Sequence, residues 1–464
     1  MNLTRLFNLI ESEINKDYSN NSVLDYKKPE EMKELLDLSI PNEVQDETNF
    51  YKSIQNYLDG SVDTSHPLFS NQLWAGRNIP ALIAEFITTL RNTSVYTYET
   101  APAATMIEIY MIDLLCKKMG YSKGDGTFLT GSSNANLISL LVARNTMFPE
   151  IKSNGLSSLP ELCFFVSEHS HYSFEKAANV LGFGENNIIK VKADSNHKMI
   201  PSELEKSIKE AIRLGKKPFY VCGTAGTTET GAFDPIIELQ SITKEYNLWF
   251  HTDGAWGGAL VFSDKYKHLL NGIENSDSIS WDAHKLMGIP LICSVILFKD
   301  NNQLLPSVSE KTSDYLFHEH EYDELDLGKK SIQCGRRVDS LKLWLSFKYY
   351  GMKGYEERIN RMVELANYLT NKIENNPNFE LLADTTFCNV NFRFNPHNNS
   401  NIESINGINL EAREEMYKEG LALFNYCYIE ENLSIRYILA NPEINESHLD
   451  YILDIFESKC LKLI

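Results

Sequence analysis

Two stretches of the sequence, FHTDGAWGG at residues 250–258 and SWDAHK at residues 280–285, each lead from a short apolar run into charged residues. Asp253 and Lys285 therefore fall at the ends of predicted buried strands. Burying an ammonium group is costly unless the group is paired or neutralised, and a desolvated lysine amine is the nucleophile that forms an imine with a carbonyl. An aspartate in such a place can keep a pyridinium nitrogen protonated. Taken singly, Lys285 can also be a surface lysine, and Asp253 a helix cap in a glycine-rich turn.

The chain around these stretches alternates between predicted strands and predicted helices from about residue 125 to residue 300. An amphipathic helix is predicted over 202–214, with Gly215 as its stop signal. Asp234 and Pro235 predict the start of another helix, with Asp234 as its N-cap. The alternation predicts an α/β domain with a mainly parallel sheet, whose ligands gather at the carboxyl ends of the strands. The predicted strands are the apolar runs 162–166, 188–191, 219–222, 248–252, 278–281 and 292–298.

Composition limits the partners of the protein. The 464 residues carry a formal net charge of −19, and so acidic a surface repels nucleic acids and anionic membranes, so neither is an expected partner. No run approaches the roughly 20 apolar residues that a membrane span needs, and the N-terminus lacks the pattern of a signal peptide. The eight cysteines form no CxxC pair, which favours reduced, buried thiols and a cytoplasmic location.

Two further stretches follow a predicted strand or open a predicted helix in the same region. LTGSSNAN (129–136) places Gly131, Ser132 and Ser133 at a helix start, where free backbone N–H groups suit a phosphate, although any serine-rich cap has the same pattern. SEHSHYS (167–173) carries His171, which can stack on an aromatic ring. Its HxH spacing also fits a metal, but no third ligand with zinc-like spacing follows, so no metal is predicted.

The sequence predicts three parts of the chain. Residues 1–64 form a polar, helix-rich segment that we expect to pack on a partner subunit. Residues 65–342 form the large α/β domain. The pattern then changes to a long helix over 353–374, scattered short strands and a last helix near 446–461. This change predicts a smaller C-terminal α+β domain over residues 343–464.

Many stretches in colinear order resemble the group II amino-acid decarboxylases that depend on pyridoxal 5′-phosphate (PLP), which have the fold-type I architecture. The similarity extends from about His66 to the C-terminus and is greatest to the branch of glutamate, cysteine sulfinate and aspartate decarboxylases. It implies a homodimeric enzyme that removes CO₂ from a small acidic L-amino acid. The stretches that carry the resemblance are HPLFSNQL (66–73), TYETAP (97–102), SEHSHYS (167–173), AGTTETGAFDP (225–235), HTDGAWGG (251–258), HKLMGIPL (284–291), QCGRRVDSLKLW (333–344) and RYILANP (436–442).

The resemblance implies roles for the residues that would surround the cofactor ring. Lys285 matches the catalytic lysine that holds PLP as a Schiff base. Asp253 matches the partner of the ring nitrogen. His171 matches the histidine that stacks on one face of the ring, and Ala255 lies where the family places a residue against the other face. Thr228 matches a threonine beside the cofactor.

The phosphate of the cofactor is also assigned by resemblance, with one departure from the family pattern. The branch usually has Asn-Pro before its His-Lys pair, whereas this chain has Asp282 and Ala283. An aspartate near a phosphate is tolerable only if it accepts or mediates hydrogen bonds. The residues that match the phosphate cup are Gly131, Ser132, Ser133, Asp282 and His284.

The resemblance assigns the substrate pocket to residues outside the α/β region as well. Asn71 and Gln72 match a strip that lines the pocket, and Arg436 matches the arginine that binds the side-chain acid of the substrate. Trp74 follows that strip, and its bulk favours aspartate or cysteine sulfinate over glutamate. A packed core tryptophan and an internal salt bridge of Arg436 are the alternative interpretations. Tyr322, in the loop 315–330, matches the tyrosine that reprotonates the substrate carbon.

Other functions remain open from the sequence alone. On the same scaffold, protonation of the cofactor carbon gives an aminotransferase or a lyase, and access of O₂ gives an amine-oxidising enzyme. A decarboxylase of this type can also act on diaminobutyrate or an aromatic amino acid. The non-enzymatic alternative is a cofactor-free scaffold that acts as a binding protein, and the presence of Lys285, Asp253 and His171 weighs against it.

Overall fold

The structure is a computed structural model of the chain, and it describes residues 3–19, 22–309, 315–318, 321–396 and 401–464. Contacts between residues divide the chain into two compact units. We call the first the large unit, and it comprises Arg77–Asn367 and Ala383–Asn389. We call the second the small unit, and it comprises Met1–Gly76, Tyr368–Leu382 and Val390–Ile464.

Helices and strands account for most of the described chain. The strands are β1 (Phe69–Ser70), β2 (Asp125–Leu129), β3 (Leu162–Ser167), β4 (Ile188–Val191), β5 (Lys217–Thr224), β6 (Trp249–Asp253), β7 (Ser278–Asp282), β8 (Ser294–Phe298), β9 (Phe379–Leu381), β10 (Asn389–Phe394), β11 (Leu423–Ile429) and β12 (Asn432–Ile438). The α-helices are α1 (Leu3–Ile14), α2 (Pro29–Leu36), α3 (Glu47–Asp59), α4 (Ile79–Arg91), α5 (Pro102–Lys118), α6 (Ser132–Met147), α7 (Ile151–Asn154), α8 (Ser173–Val180), α9 (Pro201–Arg213), α10 (Ile236–Glu245), α11 (Leu304–Val308), α12 (Asp339–Glu374), α13 (Ile402–Lys418) and α14 (Glu446–Leu461). Among these described helices, none combines the length and the apolar composition needed to cross a membrane.

The large unit is built on a seven-stranded sheet in the order β2-β8-β7-β6-β5-β3-β4. The strands from β7 to β4 run parallel to their neighbours, whereas β8 runs antiparallel to both β2 and β7. All residues of β3, β6, β7 and β8 are buried, as in strands covered on both faces, and the sequences of β3 and β8 are apolar apart from one serine each. Each of the six predicted strands overlaps a strand of this sheet, so the predicted α/β fold with a mainly parallel sheet is confirmed.

Helix signals in the large unit gave one accurate and one wrong prediction. The helix predicted over 202–214 is α9, one residue earlier at each end. Asp234, however, does not cap α10, which begins without a side-chain cap. The two carboxylate oxygens of Asp234 accept hydrogen bonds from the backbone N–H groups of Met199 and Thr224, both at 2.7 Å. Because Asp234 is buried, its oxygens satisfy buried backbone donors and join the end of β5 to the segment before α9.

The small unit contains a five-stranded sheet in the order β1-β11-β12-β10-β9. Its last helix, α14, has the bounds predicted for the C-terminal helix. The boundaries predicted at 64/65 and 342/343 differ from those of the two units, because the small unit joins segments that are far apart in the sequence. β1 pairs with β11, and the N–H of Val23 donates to the carbonyl of Gly420. The residues of α12 before Tyr368 belong to the large unit, and this helix is interrupted at Gly351, whose φ is 67°.

A buried ion pair fixes β2, the strand that leads into α6. Arg336 Nη1 lies 2.7 Å from Glu108 Oε1 and also donates to Thr127 Oγ1 at 3.1 Å and to the carbonyl of Phe128 at 3.3 Å. Both charged side chains are almost fully buried, so each requires the other as a counter-charge. The pair therefore holds the end of β2 against α5, immediately before Gly131.

Candidate active site

Lys285 follows the end of β7 and is largely buried, with 16% of its side chain exposed. Its Nζ lies 3.3 Å from Oδ2 of Asp282, the last residue of β7. Asp282 stands opposite Ser294 across the β7–β8 pair, and Ser294 Oγ donates to Asp282 Oδ1. The amine is thus placed by a strand end and a buried carboxylate, as expected for a lysine at this edge of the sheet.

Asp253 ends β6, the neighbour of β7, and is 4% exposed. Its Oδ2 accepts a hydrogen bond from Asn136 Nδ2 at 2.8 Å. Its Oδ1 accepts one from the backbone N–H of Ala255 at 3.0 Å and lies 3.3 Å from the hydroxyl of Ser280. Hydrogen bonds thus reach both oxygens of this buried carboxylate. A carboxylate so placed can accept a hydrogen bond from a protonated heteroaromatic nitrogen.

The start of α6 lies beside the same carboxylate that pairs with Lys285. Ser132, the first residue of α6, donates from Oγ to Asp282 Oδ1 at 2.7 Å, while His284 Nε2 lies 3.7 Å from Asp282 Oδ2. Burial raises the pKa of Asp282, but Lys285, His284 and the hydroxyls of Ser294 and Ser132 outweigh it, so the pKa lies below its ordinary value. Asp282 is therefore a charged, hydrogen-bonded group, which is the condition under which an aspartate is tolerable here.

His171 and Ala255 lie next to these groups. Burial lowers the pKa of His171, Asp253 opposes the shift, and Lys285 adds to it. The imidazole is therefore neutral at neutral pH, and its Nδ1 accepts the backbone N–H of Ser173 at 3.2 Å. A half-buried neutral ring is suited to stacking on a flat heterocycle.

The other predicted cofactor and proton-donor residues are less buried. Ser133 is exposed in the first turn of α6, and Thr228 is half-buried, with its carbonyl accepting from Asn389 Nδ2 at 3.1 Å. Tyr322 is 45% exposed, and its ring centroid lies 5.6 Å from that of Tyr98. The predicted loop 315–330 falls partly outside the described residues, at 319–320.

The four predicted substrate residues belong to the small unit. Asn71 and Gln72 directly follow β1, and Gln72 Nε2 donates to Asn71 Oδ1 at 2.6 Å. Arg436 is on β12, is 8% exposed, and donates from Nη2 to the carbonyl of Asn71 at 3.2 Å. The half-buried Trp74 packs its ring 5.8 Å from that of Phe69. The small unit thus brings the predicted pocket strip and the predicted arginine together.

The sequence did not single out two residues that contact this site. Asn136 donates from Nδ2 to Asp253 Oδ2, and His251 Nε2 lies 3.2 Å from Asn136 Oδ1. Both belong to motifs that were recognised, LTGSSNAN and HTDGAWGG. A polar residue one helical turn into an apolar helix was the available signal for Asn136.

The residues present fit pyridoxal phosphate. They offer a buried amine, a buried carboxylate for a ring nitrogen, a neutral imidazole and the start of a long helix. Gly131 precedes that helix with a φ of +93°, and a Cβ added there would meet nothing within 4 Å, so space for an anion is open at the helix start. Within the described residues there is no group of three His, Cys, Asp or Glu side chains that could hold a metal ion.

Fold and site together define an enzyme of the fold-type I class that uses pyridoxal phosphate. The family described as "Pyridoxal-dependent decarboxylase conserved domain" matches residues 29–395. The chain therefore belongs to the pyridoxal-dependent decarboxylases, and it is an amino-acid decarboxylase whose cofactor is pyridoxal phosphate.

Individual relatives agree with this assignment. The chain is 38% identical over 448 residues to an acidic amino acid decarboxylase GADL1 of Xenopus tropicalis, covering 94% of this chain and 88% of the relative. It is 37% identical over 445 residues to the human cysteine sulfinic acid decarboxylase, covering 94% and 90%. The crystal structure of mouse CSAD superposes with a TM-score of 0.95 at 36% identity, covering 98% of this chain and 97% of that one.

The buried histidine His251 predicts a pH dependence of stability. Burial lowers its pKa to about 4, so between about pH 6.5 and pH 4 the unfolded chain binds a proton that the folded chain does not. Lowering the pH through this window therefore destabilises the fold. In His251→Gln, which cannot titrate, the unfolding free energy should lose about 2 kcal/mol less than wild type between pH 7.5 and pH 5. Urea unfolding at both pH values checks this, and equal losses in the two proteins would contradict it.

Proposed function

We propose that this decarboxylase acts on a short acidic L-amino acid, aspartate or cysteine sulfinate in preference to glutamate, and releases the corresponding amine. The observation that carries the proposal is Arg436, a nearly buried guanidinium beside the strip formed by Asn71 and Gln72. A guanidinium in a fixed frame binds a carboxylate or sulfinate through two parallel hydrogen bonds. The names of the relatives, an acidic amino acid decarboxylase and a cysteine sulfinic acid decarboxylase, support the same substrate class.

The large unit would hold the cofactor through Lys285, Asp253, His171, Ala255 and the start of α6. When bound, PLP supplies an electron-withdrawing ring that takes up the bonding electrons left by the departing CO₂. Asp253 would keep a proton on the ring nitrogen, since donors to both oxygens hold its carboxylate in place. His171 and Ala255 would contact the ring and orient it.

The remaining roles concern protons and the phosphate. Asp282 holds the amine of Lys285 in place and aligns the hydroxyl of Ser132 at the helix start. Tyr322, as general acid, delivers a proton to the substrate carbon. We also assign Thr228, Gly131, Ser133 and His284 to contacts with the cofactor, by their match to the family motifs.

We further propose that the protein is a homodimer of the cytoplasm. The exposed apolar residues of α4 support the dimer, because their spacing puts them on one helical face that a partner would cover. These residues are Ile83, Phe86, Ile87 and Leu90. The cysteines of the described chain form no disulfide and are mostly buried, which suits a reducing compartment.

Replacing Lys285 tests the assignment of the active site. In Lys285→Ala, borohydride reduction should no longer attach PLP to the protein, and turnover should collapse, because the amine that forms the covalent bond is gone. Mass spectrometry of the reduced protein measures the attachment. Lys265→Ala, at an exposed ion pair with Glu364, is the control and should be labelled like wild type. Covalent PLP retained by Lys285→Ala would show that another lysine holds the cofactor.

Replacing Arg436 tests the substrate class. Arg436→Ala should cost roughly 1.5–3 kcal/mol or more of transition-state stabilisation on aspartate and cysteine sulfinate, because a charged hydrogen-bonding partner of the substrate is lost. The measurement is kcat/KM from amine product, over a panel that also contains glutamate, diaminobutyrate and aromatic amino acids. Trp74→Ser in the same assay should raise relative activity on glutamate, because a smaller side chain widens the pocket.

Arg393→Ala is the matched control for Arg436→Ala. Arg393 is also a nearly buried arginine of the five-stranded sheet, but it is ion-paired with Glu380, so its loss should lower stability without a selective loss of activity on acidic substrates. A wild-type preference for diaminobutyrate or an aromatic amino acid would refute the proposal. An unchanged kcat/KM in Arg436→Ala would refute it as well.

A further inference from the structure

A buried chain of hydrogen bonds in the large unit leads from Trp249 to Asp253. Trp249 Nε1 donates to Ser278 Oγ at 2.9 Å, and Ser278 Oγ lies 2.8 Å from His251 Nδ1. His251 Nε2 lies 3.2 Å from Asn136 Oδ1, and Asn136 Nδ2 donates to Asp253 Oδ2 at 2.8 Å. All five residues are at most 5% exposed. We call this set of residues the polar chain.

The directions of the hydrogen bonds in the polar chain are set from the Asp253 end. The carboxylate of Asp253 can only accept, so Asn136 faces it with its NH₂ group and turns Oδ1 toward His251. Nε2 of His251 must therefore carry a proton. When the ring is neutral, Nδ1 has no proton and accepts from the hydroxyl of Ser278, which in turn accepts from the indole N–H of Trp249.

The neutral state of His251 follows from its surroundings. The ring is fully buried, and burial lowers its pKa to about 4, against an opposing effect of Asp253. A neutral imidazole with a fixed tautomer acts as a donor at one nitrogen and an acceptor at the other. With its proton on Nε2, it donates to Asn136 Oδ1, which the hydroxyl of Ser280 also approaches at 3.0 Å. The amide of Asn136 is therefore held from its oxygen side as well as from its NH₂ side.

We infer that Asn136 and His251 are positioning residues that orient the carboxylate of Asp253 toward the ring nitrogen of the cofactor. The inference rests on the proposed role of Asp253. Asn136 holds Oδ2, and the N–H of Ala255 holds Oδ1, with the hydroxyl of Ser280 3.3 Å from Oδ1 and 3.0 Å from Asn136 Oδ1. With both oxygens held, the plane of the carboxylate is set before the cofactor arrives, so the cofactor meets a preorganised acceptor.

Two substitutions of His251 separate this role from a general contribution to packing. Glutamine extends about as far as Nε2 and keeps a donor for Asn136 Oδ1, whereas asparagine ends near Nδ1 and does not reach it. The dissociation constant of PLP should rise on the order of tenfold or more in His251→Asn and in Asn136→Leu, and should stay near wild type in His251→Gln. Absorbance titration of the apoprotein measures it, and a thermal melt of each apoprotein records the loss of stability.

A double-mutant cycle with Asp253→Ala shows whether the effect passes through the aspartate. In the Asp253→Ala background, His251→Asn and Asn136→Leu should weaken PLP binding no further, because the group they position is absent. Full additivity, or equal losses in His251→Gln and His251→Asn, would overturn the inference. If Asn136→Leu does not fold, Ser278→Ala replaces it. Ser278→Ala should weaken PLP binding less, and this loss of affinity should vanish in the Asp253→Ala background.

The cycle also separates this inference from the proposed function. If Asp253→Ala alone leaves the affinity for PLP unchanged, the proposed role of Asp253 fails. If Asp253→Ala weakens binding while the substitutions in the polar chain do not, only the positioning role fails.

Discussion

The molecule depends on one constraint. Two charged side chains, Asp253 and Lys285, lie largely away from water at the carboxyl edge of one parallel sheet. Removing such groups from water costs several kcal/mol each unless hydrogen bonds and counter-charges compensate. The large unit compensates Asp253 with Asn136, the N–H of Ala255 and Ser280. It supplies Asp282 as the counter-charge of Lys285. The fold itself therefore holds an amine and a carboxylate at this edge of the sheet.

The parallel sheet makes this arrangement possible. Neighbouring parallel strands, buried on both faces, bring their carboxyl ends to one edge, where side chains can meet without long loops. β6 and β7 are neighbours in register, with Asp253 opposite Ser280. β2 is an edge strand of the same sheet. The buried ion pair of Glu108 and Arg336 holds β2 in place, and with it the start of α6. Separate segments of the chain thus converge because the order and register of the strands bring them together.

Much of this organisation was predictable from the sequence, because apolar runs report burial and the residues that follow them report strand ends. The six predicted strands and the helices α9 and α14 were found within a few residues. The function of Asp234 was not predictable, since a helix cap and a bridge between two backbone N–H groups look the same in sequence. The unit boundaries also escaped prediction, because they depend on contacts such as that of β1 with β11.

Asn136 is a residue of the site whose long-range contact could likewise not be predicted from the sequence. Its motif predicted a helix start, but only the fold shows that its amide reaches a carboxylate 117 positions away. At Asp282 the sequence departs from the pattern of the related branch, and the structure shows why the aspartate is tolerated. Its carboxylate is satisfied by Ser132, Ser294 and Lys285, so the charge is tolerated where the related branch has an asparagine.

The role of Asp253 can be measured through the protonation state of the ring nitrogen in the bound cofactor. PLP labelled with ¹⁵N at that nitrogen can be bound to wild type and to Asp253→Ala, and its chemical shift followed by NMR from about pH 6 to pH 9. We expect a protonated nitrogen throughout this range in wild type and loss of that protonation in Asp253→Ala, because the carboxylate holds the proton. A deprotonated nitrogen in wild type at neutral pH, or the same shift in both proteins, would contradict it.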